Sequence, residues 1–440
     1  MRVVVQALVA RGHEVWWYAA AKFARVVEAA GAIHVPMSAG IDWDDADVEV
    51  ALPVLRGKRG LARVRAQLRA MFIEPMVAQL RDLEALADRV RPEAVIADQA
   101  HLGAALLAET RGLPWVGVGI SALVVPSVDV APFGSALPPL AGDAGKKRNG
   151  LLNWLIHRVL FASVNTAYRR QREAAGLPAG QGTYFDVLAP QLFLQPTIPA
   201  FEYPRSDLPA QVHFVGPLVP PAMREHPLPP WWGEVLAAHA AGTPIVLVTQ
   251  GTLATDAREL AMPALRALAD AELLVVVTLD PSLLAAAGQG ELPANARVAA
   301  YVPYQQLLPL ASVMVTNGGY GGVQMALGAG VPLVVAGGSE EKPEIAARVA
   351  WSGAGIDLRT GRPRVRALRL AVMRVLAEPA YRERARALAG EMARHDAPAT
   401  SADLIEAVIV SAHAAHAAHE SASTHASTGL GRDGDAGDGL

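Results

Sequence analysis

The sequence predicts an α/β protein of two domains, the second a doubly wound parallel sheet, and three observations predict it. Apolar runs alternate with longer helical patterns, the rhythm of a mainly parallel sheet. The 440 residues exceed what one hydrophobic core usually serves. At 52% hydrophobic and 18% charged residues, the chain has enough apolar side chains to fill two cores.

Taken in order, the first half offers strands at 14–18, 94–97 and 115–119, with one or two amphipathic helices over 61–90. Residues 126–148, rich in Pro, Gly and Ala, read as a loop, and the proline-rich stretch 217–242 as an interdomain connection. The second half is cleaner. Strands are expected at 245–249, 273–278, 298–301, 313–316 and 332–336, with helices between them, and ligands of such a sheet sit beyond the carboxyl ends of its strands. The last helices are expected around 381–395 and 402–412. The tail after them carries His413, His416, His419 and His425 among Ala, Ser, Gly and Asp, and its composition predicts disorder.

Composition also excludes function classes. A formal net charge of −3 gives no basic excess for nucleic acid or an anionic membrane. The absence of cysteine excludes disulfides, thiol nucleophiles and thiolate metal sites, and suits a reducing cytoplasm. No apolar stretch is long enough to span a bilayer, and the opening residues are too short an apolar run for a signal peptide, so a cytoplasmic protein is expected.

The most informative motif is Thr316-Asn317-Gly318-Gly319-Tyr320-Gly321-Gly322-Val323-Gln324-Met325. Four glycines fall within five positions between a strand end and a helix expected to start near Gly322. Glycines admit a ligand close to the backbone, and free N–H groups at a helix start attract an anion such as pyrophosphate. The same cluster also fits a plain tight turn. Three further segments follow strands and favour the anion: Thr249-Gln250-Gly251-Thr252, Ala300-Tyr301-Val302-Pro303-Tyr304 and Gly337-Gly338-Ser339-Glu340-Glu341-Lys342.

The run 301–355 resembles the donor-binding region of bacterial family 1 glycosyltransferases of GT-B fold, the macrolide-glycosyltransferase-like group. Gly328-Ala329-Gly330-Val331-Pro332 and Gly353-Ala354-Gly355 extend the likeness, and weaker matches at Arg11-Gly12-His13, Val95-Ile96-Ala97-Asp98 and Phe214-Val215-Gly216-Pro217 carry it along the chain. The resemblance implies two Rossmann-like domains facing a central cleft. It divides the chain into an acceptor-binding domain at 1–216, a linker at 217–242, a donor-binding domain at 243–395, a helix at 396–412 and a disordered tail at 413–440.

It also implies a donor site made of Gly251, Thr252, Tyr301, Val302, Asn317, Gly319, Gly321, Gly322, Val323, Gln324, Glu341 and Lys342. Tyr301 would stack on the nucleobase, and the Val302 backbone would read its edge. Gly321, Gly322 and Val323 would offer backbone N–H groups to the phosphates, and Thr252 its hydroxyl. Asn317 stands where many members carry a diphosphate-contacting histidine, and its amide can donate the same hydrogen bond without the charge. Lys342 replaces the usual Gln facing the sugar, and Met325 a ribose-binding Glu.

In that family a histidine on a loop after the first strand is the general base. Here 1–10 matches the first helix rather than that strand, although a strand over 2–10 is the alternative. The missing segment reads as a mis-set start or truncation. His13 is then a turn residue. Asp98 matches the acid that orients the catalytic histidine, or caps the helix starting near His101. His101 would line the acceptor side. Trp16, Trp17, Trp43 and Trp115 suit either a greasy acceptor pocket or an ordinary core.

The resulting expectation is an inverting, metal-independent glycosyltransferase. It would use a UDP- or dTDP-sugar as co-substrate, with no further cofactor, and a lipophilic small-molecule acceptor such as a polyketide, macrolide or phenol. A non-catalytic nucleotide-binding relative and a nucleotide-sugar epimerase are the alternatives, and the oligomeric state is left open.

Overall fold

The computed structural model describes residues 1–40, 42, 48–180, 182–219, 227–251 and 256–429. Among these residues, twelve strands form three all-parallel sheets. In chain order they are β1 Trp16–Ala19, β2 Ile33–Pro36, β3 Val95–Asp98, β4 Trp115–Val118, β5 Leu192–Gln195, β6 Val212–Phe214, β7 Ile245–Thr249, β8 Leu274–Thr278, β9 Ala296–Ala299, β10 Val313–Thr316, β11 Leu333–Val335 and β12 Gly355–Asp357.

The C-terminal sheet runs β12-β11-β10-β7-β8-β9. Its centre is buried on both faces, as a parallel sheet with helices on each side must be. Ile245 and Leu247 of β7 face one core with Met314 of β10, while Val246 and Val248 face the other with Val313 and Val315. Between β7 and β10 the winding reverses, with Thr249 in register with Thr316. The crevice beyond those two carboxyl ends is where such a fold takes its ligand.

Strands β7 and β10 lie where the apolar runs placed them, and β8 differs by one residue. The strand expected at 298–301 is instead β9 at Ala296–Ala299. Its neighbour β8 ends at Thr278, paired with Ala299, and the chain then turns into the Pro281–Ala286 helix, so 300–301 has no partner strand.

The N-terminal half contains a two-stranded sheet, β1-β2, and a four-stranded sheet, β3-β4-β5-β6. The Arg2–Ala10 segment is a helix, which decides between the two readings of it. Val4 and Leu8 press on β4 and β5, and Val5 packs with Ala19 of β1. Long-range packing overrides the strand preference of Val3-Val4-Val5.

Three other expectations are corrected. The loop expected at 126–148 gives way at Gly142 to a helix, Gly142–Asn153. One of its glycines serves close packing: a Cβ on Gly145 would lie 1.7 Å from the Leu140 carbonyl oxygen. The connection at 217–242 contains the Trp232–Ala240 helix, whose Val235 is buried in the second-domain core. The last helix does not stop at 412. It spans Ala397–Gly429: Ala397, Ala402 and Ile405 near its start are buried against β4 and β5, and the alanines that follow favour helix. The rest of the expected tail, 430–440, lies outside the described residues.

The two halves meet in a buried charge network. Arg348, on the Lys342–Trp351 helix, and Glu202, after β5, are 1% and 2% exposed at their side chains, and their Nη2 and Oε1 lie 2.6 Å apart. Arg348 Nη1 also donates to Glu344 Oε2 at 2.9 Å. Glu344 Oε1 accepts from the backbone N–H groups of Gly134 and Ala136, and Glu202 Oε2 from that of Leu123. The Arg205 guanidinium donates to the Leu123 and Val125 carbonyls. Burial opposes the charge on Arg348, but the two carboxylates outweigh it and raise its pKa above the ordinary guanidinium value. Removing one member of a buried pair leaves the others uncompensated. Arg348→Ala is therefore expected to lower stability by about 3–5 kcal/mol, read as a fall in the urea midpoint, with Arg348→Lys losing less.

Candidate functional site: the crevice between β7 and β10

The site is assembled from strand ends. After β7, Gly251 adopts φ +75°, a conformation that glycine reaches without strain. After β10, Gly318 (φ +93°) runs so close to β11 that a Cβ would come within 2.9 Å of Val335 Cγ1. The chain then enters the Tyr320–Gly328 helix with Gly319 as its N-cap, two residues earlier than expected. The N–H groups of Gly319, Tyr320, Gly321 and Gly322 precede the first intrahelical bond and point out of the helix start. That first bond is Val323 N–H to the Gly319 carbonyl at 3.0 Å. Val323 therefore has no amide to give a phosphate, which corrects its expected role.

Asn317 Nδ2 donates to the Gln250 carbonyl, tying the two strand ends together, while its Oδ1 is buried with no partner among the described residues. The Gln250 carbonyl can only accept, and this fixes which end of the amide faces it. Asn317 thus braces β7 against β10.

Beside it lies a cavity of about 460 Å³, lined by Gln250, Asn317, Ser339, Lys342, Thr360 and Arg362 among others. Lys342 forms an ion pair with Glu340, whose backbone is itself left-handed at φ +58°. Glu341 is the N-cap of the Lys342–Trp351 helix. Thr360 and Arg362 were not anticipated. Their segment comes in because Gly338 and Gly361 touch backbone to backbone, a Cβ on Gly338 falling 2.6 Å from Gly361 Cα. The Thr360-Gly361-Arg362 spelling was the available signal.

Other expected residues fall elsewhere. Tyr301 is exposed just past β9 and Val302 is buried in the core beside it, and neither lines the cavity. Gln324 Nε2 donates to Thr197 Oγ1 at 2.8 Å, which joins the domains, and its buried Oε1 has no partner among the described residues. Met325 packs against the second-domain core. Thr252 lies outside the described residues, as does Trp43. A larger cavity of about 520 Å³ lies against Trp115 at the start of β4, the opposite end of the strands.

On the N-terminal side Asp98 closes β3, and its Oδ1 accepts from the Ala100 N–H at 2.8 Å, a turn-forming bond. His101 caps the Leu102–Arg111 helix. Its ring meets Tyr18 edge-on at 5.6 Å, and neither ring nitrogen has a partner among the described residues. Tyr18 donates to Asp82, which also accepts from the N–H groups of Ser38, Ala39 and Gly40. His13 is far off, bonded to Glu406 of the last helix at 3.0 Å.

Known proteins agree with this architecture. Residues 262–408 match the family described as erythromycin biosynthesis protein CIII-like, C-terminal domain. The 4'-demethylrebeccamycin synthase of Lentzea aerocolonigenes is 42% identical, over 92% of this chain and 95% of that protein. The chain belongs to this glycosyltransferase family. Among solved structures, the kitacinnamycin glycosyltransferase is similar at a TM-score of 0.70 and 23% identity, covering 92% of this chain and 94% of that one. A spinosyn rhamnosyltransferase complexed with thymidine diphosphate is similar at 0.66 and 20%, covering 92% and 95%. The glycosyltransferase therefore has the GT-B fold, and no helix among its described residues is long and apolar enough to cross a membrane.

Burial lowers the His101 pKa from 6.5, and the nearby Asp98 charge offsets only part of that. Below pH 6.5 the unfolded chain takes up a proton that the folded site resists, so stability falls as pH falls. His101→Phe is expected to flatten part of the decline in melting temperature between about pH 7 and 5. An unchanged slope would show that His101 is not the group responsible.

Proposed function

We propose that this glycosyltransferase moves a sugar from a UDP- or dTDP-sugar to a hydroxyl of a lipophilic acceptor, with inversion and without a metal ion. The observation that carries this reading is the helix start at Gly319–Gly322, set at the point where the winding of the sheet reverses. In the proposed reaction the acceptor hydroxyl oxygen attacks the anomeric carbon as the bond to the diphosphate breaks, and the hydroxyl proton leaves on the acceptor side. Negative charge then grows on the leaving group, against the positive helix end. Lys342 and Arg362 line the neighbouring cavity, ion-paired there with Glu340 and Glu259. Glu341 and Lys342, at the start of their helix, take the sugar's hydroxyls, and exposed Tyr301 stacks on the base. The thymidine diphosphate held by the similar rhamnosyltransferase supports a diphosphate leaving group of this kind. Asp98 and His101, at the carboxyl end of β3, belong to the acceptor side.

Proline is tolerated in the first turn of a helix, and a Cβ at Gly321 meets nothing within 4 Å. Gly321→Pro should thus delete one phosphate-facing N–H while leaving the helix intact. Binding of UDP or dTDP is expected to weaken by about tenfold to a hundredfold, the worth of a hydrogen bond to a charged group, measured by calorimetry. Unchanged affinity would move the diphosphate away from this helix. Inversion is checked separately, by the anomeric proton coupling of the product in NMR.

A further inference from the structure

The Gly142–Asn153 helix continues as the π-helical stretch Trp154–Leu160, and its polarity is inside out. Its inward side carries amides. Asn149 Nδ2 donates to the Val128 carbonyl at 3.1 Å and Asn153 Nδ2 to the Ser127 carbonyl at 3.2 Å, while buried His157 stacks on Phe185 at 4.4 Å. Its outward side carries Leu151 (65% exposed), Trp154 (59%), Leu155 and Val159, spaced at three and four residues along one face. Surface helices normally place these classes the other way round. A contiguous apolar stripe of this kind marks a surface that something covers.

The charge around the stripe says what. Between Asp143 and Glu173 there are seven Lys and Arg residues and no acid, a local basic excess in a chain whose net charge is −3, although Arg172 pairs with Glu109 and Lys146 lies 3.9 Å from Asp129. Lys147 and Arg158, on the exposed side, have no acidic partner among the described residues. Large apolar side chains with a tryptophan, bordered by cations, suit the headgroup boundary of an anionic bilayer. A second copy of the chain would bring like charge against like charge. The same segment is anchored beside the interdomain cleft, where Glu344 holds the Gly134 and Ala136 amides and Arg148 Nη2 donates to the Pro138 carbonyl.

We propose that the 151–159 face docks this enzyme on an anionic lipid surface, with the cleft entrance beside the membrane. The test is co-flotation of the full chain with vesicles of phosphatidylcholine alone or mixed with phosphatidylglycerol. Binding to the mixed vesicles only, weakened by added salt, is expected. Leu151→Ser with Trp154→Ser should reduce it at least about tenfold, with the melting temperature held because both side chains are already exposed. Lys147→Glu with Arg158→Glu should reduce it about tenfold or more. The proposal is overturned if the wild-type chain floats with neither vesicle at low salt. It is equally overturned if the variants bind as the wild type does, or if sedimentation shows a dimer that the Leu151 and Trp154 changes dissociate.

Discussion

The rest of the site depends on one buried contact, the guanidinium of Arg348 between Glu202 and Glu344. Glu202 comes from the N-terminal half and Arg348 from the donor-side helix, so the contact fixes one domain on the other. Each carboxylate has a second task. Glu202 holds the Leu123 amide and Glu344 those of Gly134 and Ala136, so two points of the loop after β4 are set from the interface. The Lys342–Trp351 helix that carries Arg348 begins at Glu341 and Lys342, the residues proposed to meet the donor sugar. A shift of that helix therefore moves the proposed sugar end of the site and the loop after β4 together. Apolar packing would tolerate sliding here; charge-assisted hydrogen bonds of defined direction do not.

Two smaller contacts act in the same sense. Gln195 donates to the Tyr320 hydroxyl and Gln324 to Thr197, so the helix whose start faces the crevice is itself braced from the other domain. Tyr320 and Gln324 lie one turn apart on one helix face, so both reach the end of β5 and the residues just after it. The glycines leave the N-terminal end of that helix open, and the bracing keeps its dipole aimed at the crevice.

The donor half was legible because its physics is local. Five-residue apolar runs such as Ile245–Thr249 have few alternatives to a buried parallel strand, and the glycines around 318–322 mark a backbone that must pass close to something. What the sequence did not disclose was the direction of side chains. Nothing in the spelling of Gln324 tells that it turns toward Thr197, or that Asn317 spends a donor on the Gln250 carbonyl. Arg362 was missed because it enters through a contact between Gly338 and Gly361, distant in sequence. In the N-terminal half the strands are four residues or fewer, and valines at 3–5 obey tertiary packing rather than propensity. The buried Glu202 and Arg348 look like surface residues until the domains meet.

The segment between β4 and Phe161 shows how one stretch can serve opposite demands. Its first part must stay where the C-terminal domain puts it, and it does so through backbone amides given to Glu344. Its second part turns asparagines inward, where they satisfy the Ser127 and Val128 carbonyls that a loop of this length would otherwise leave unpaired. With the inward positions given to amides, the helix's leucines and tryptophan have only the outside left. The exposed apolar face is thus a consequence of how the loop is satisfied as well as a docking surface. The same asparagines that hold the loop after β4 aim Leu151 and Trp154 outward, so the loop and the face move as one body.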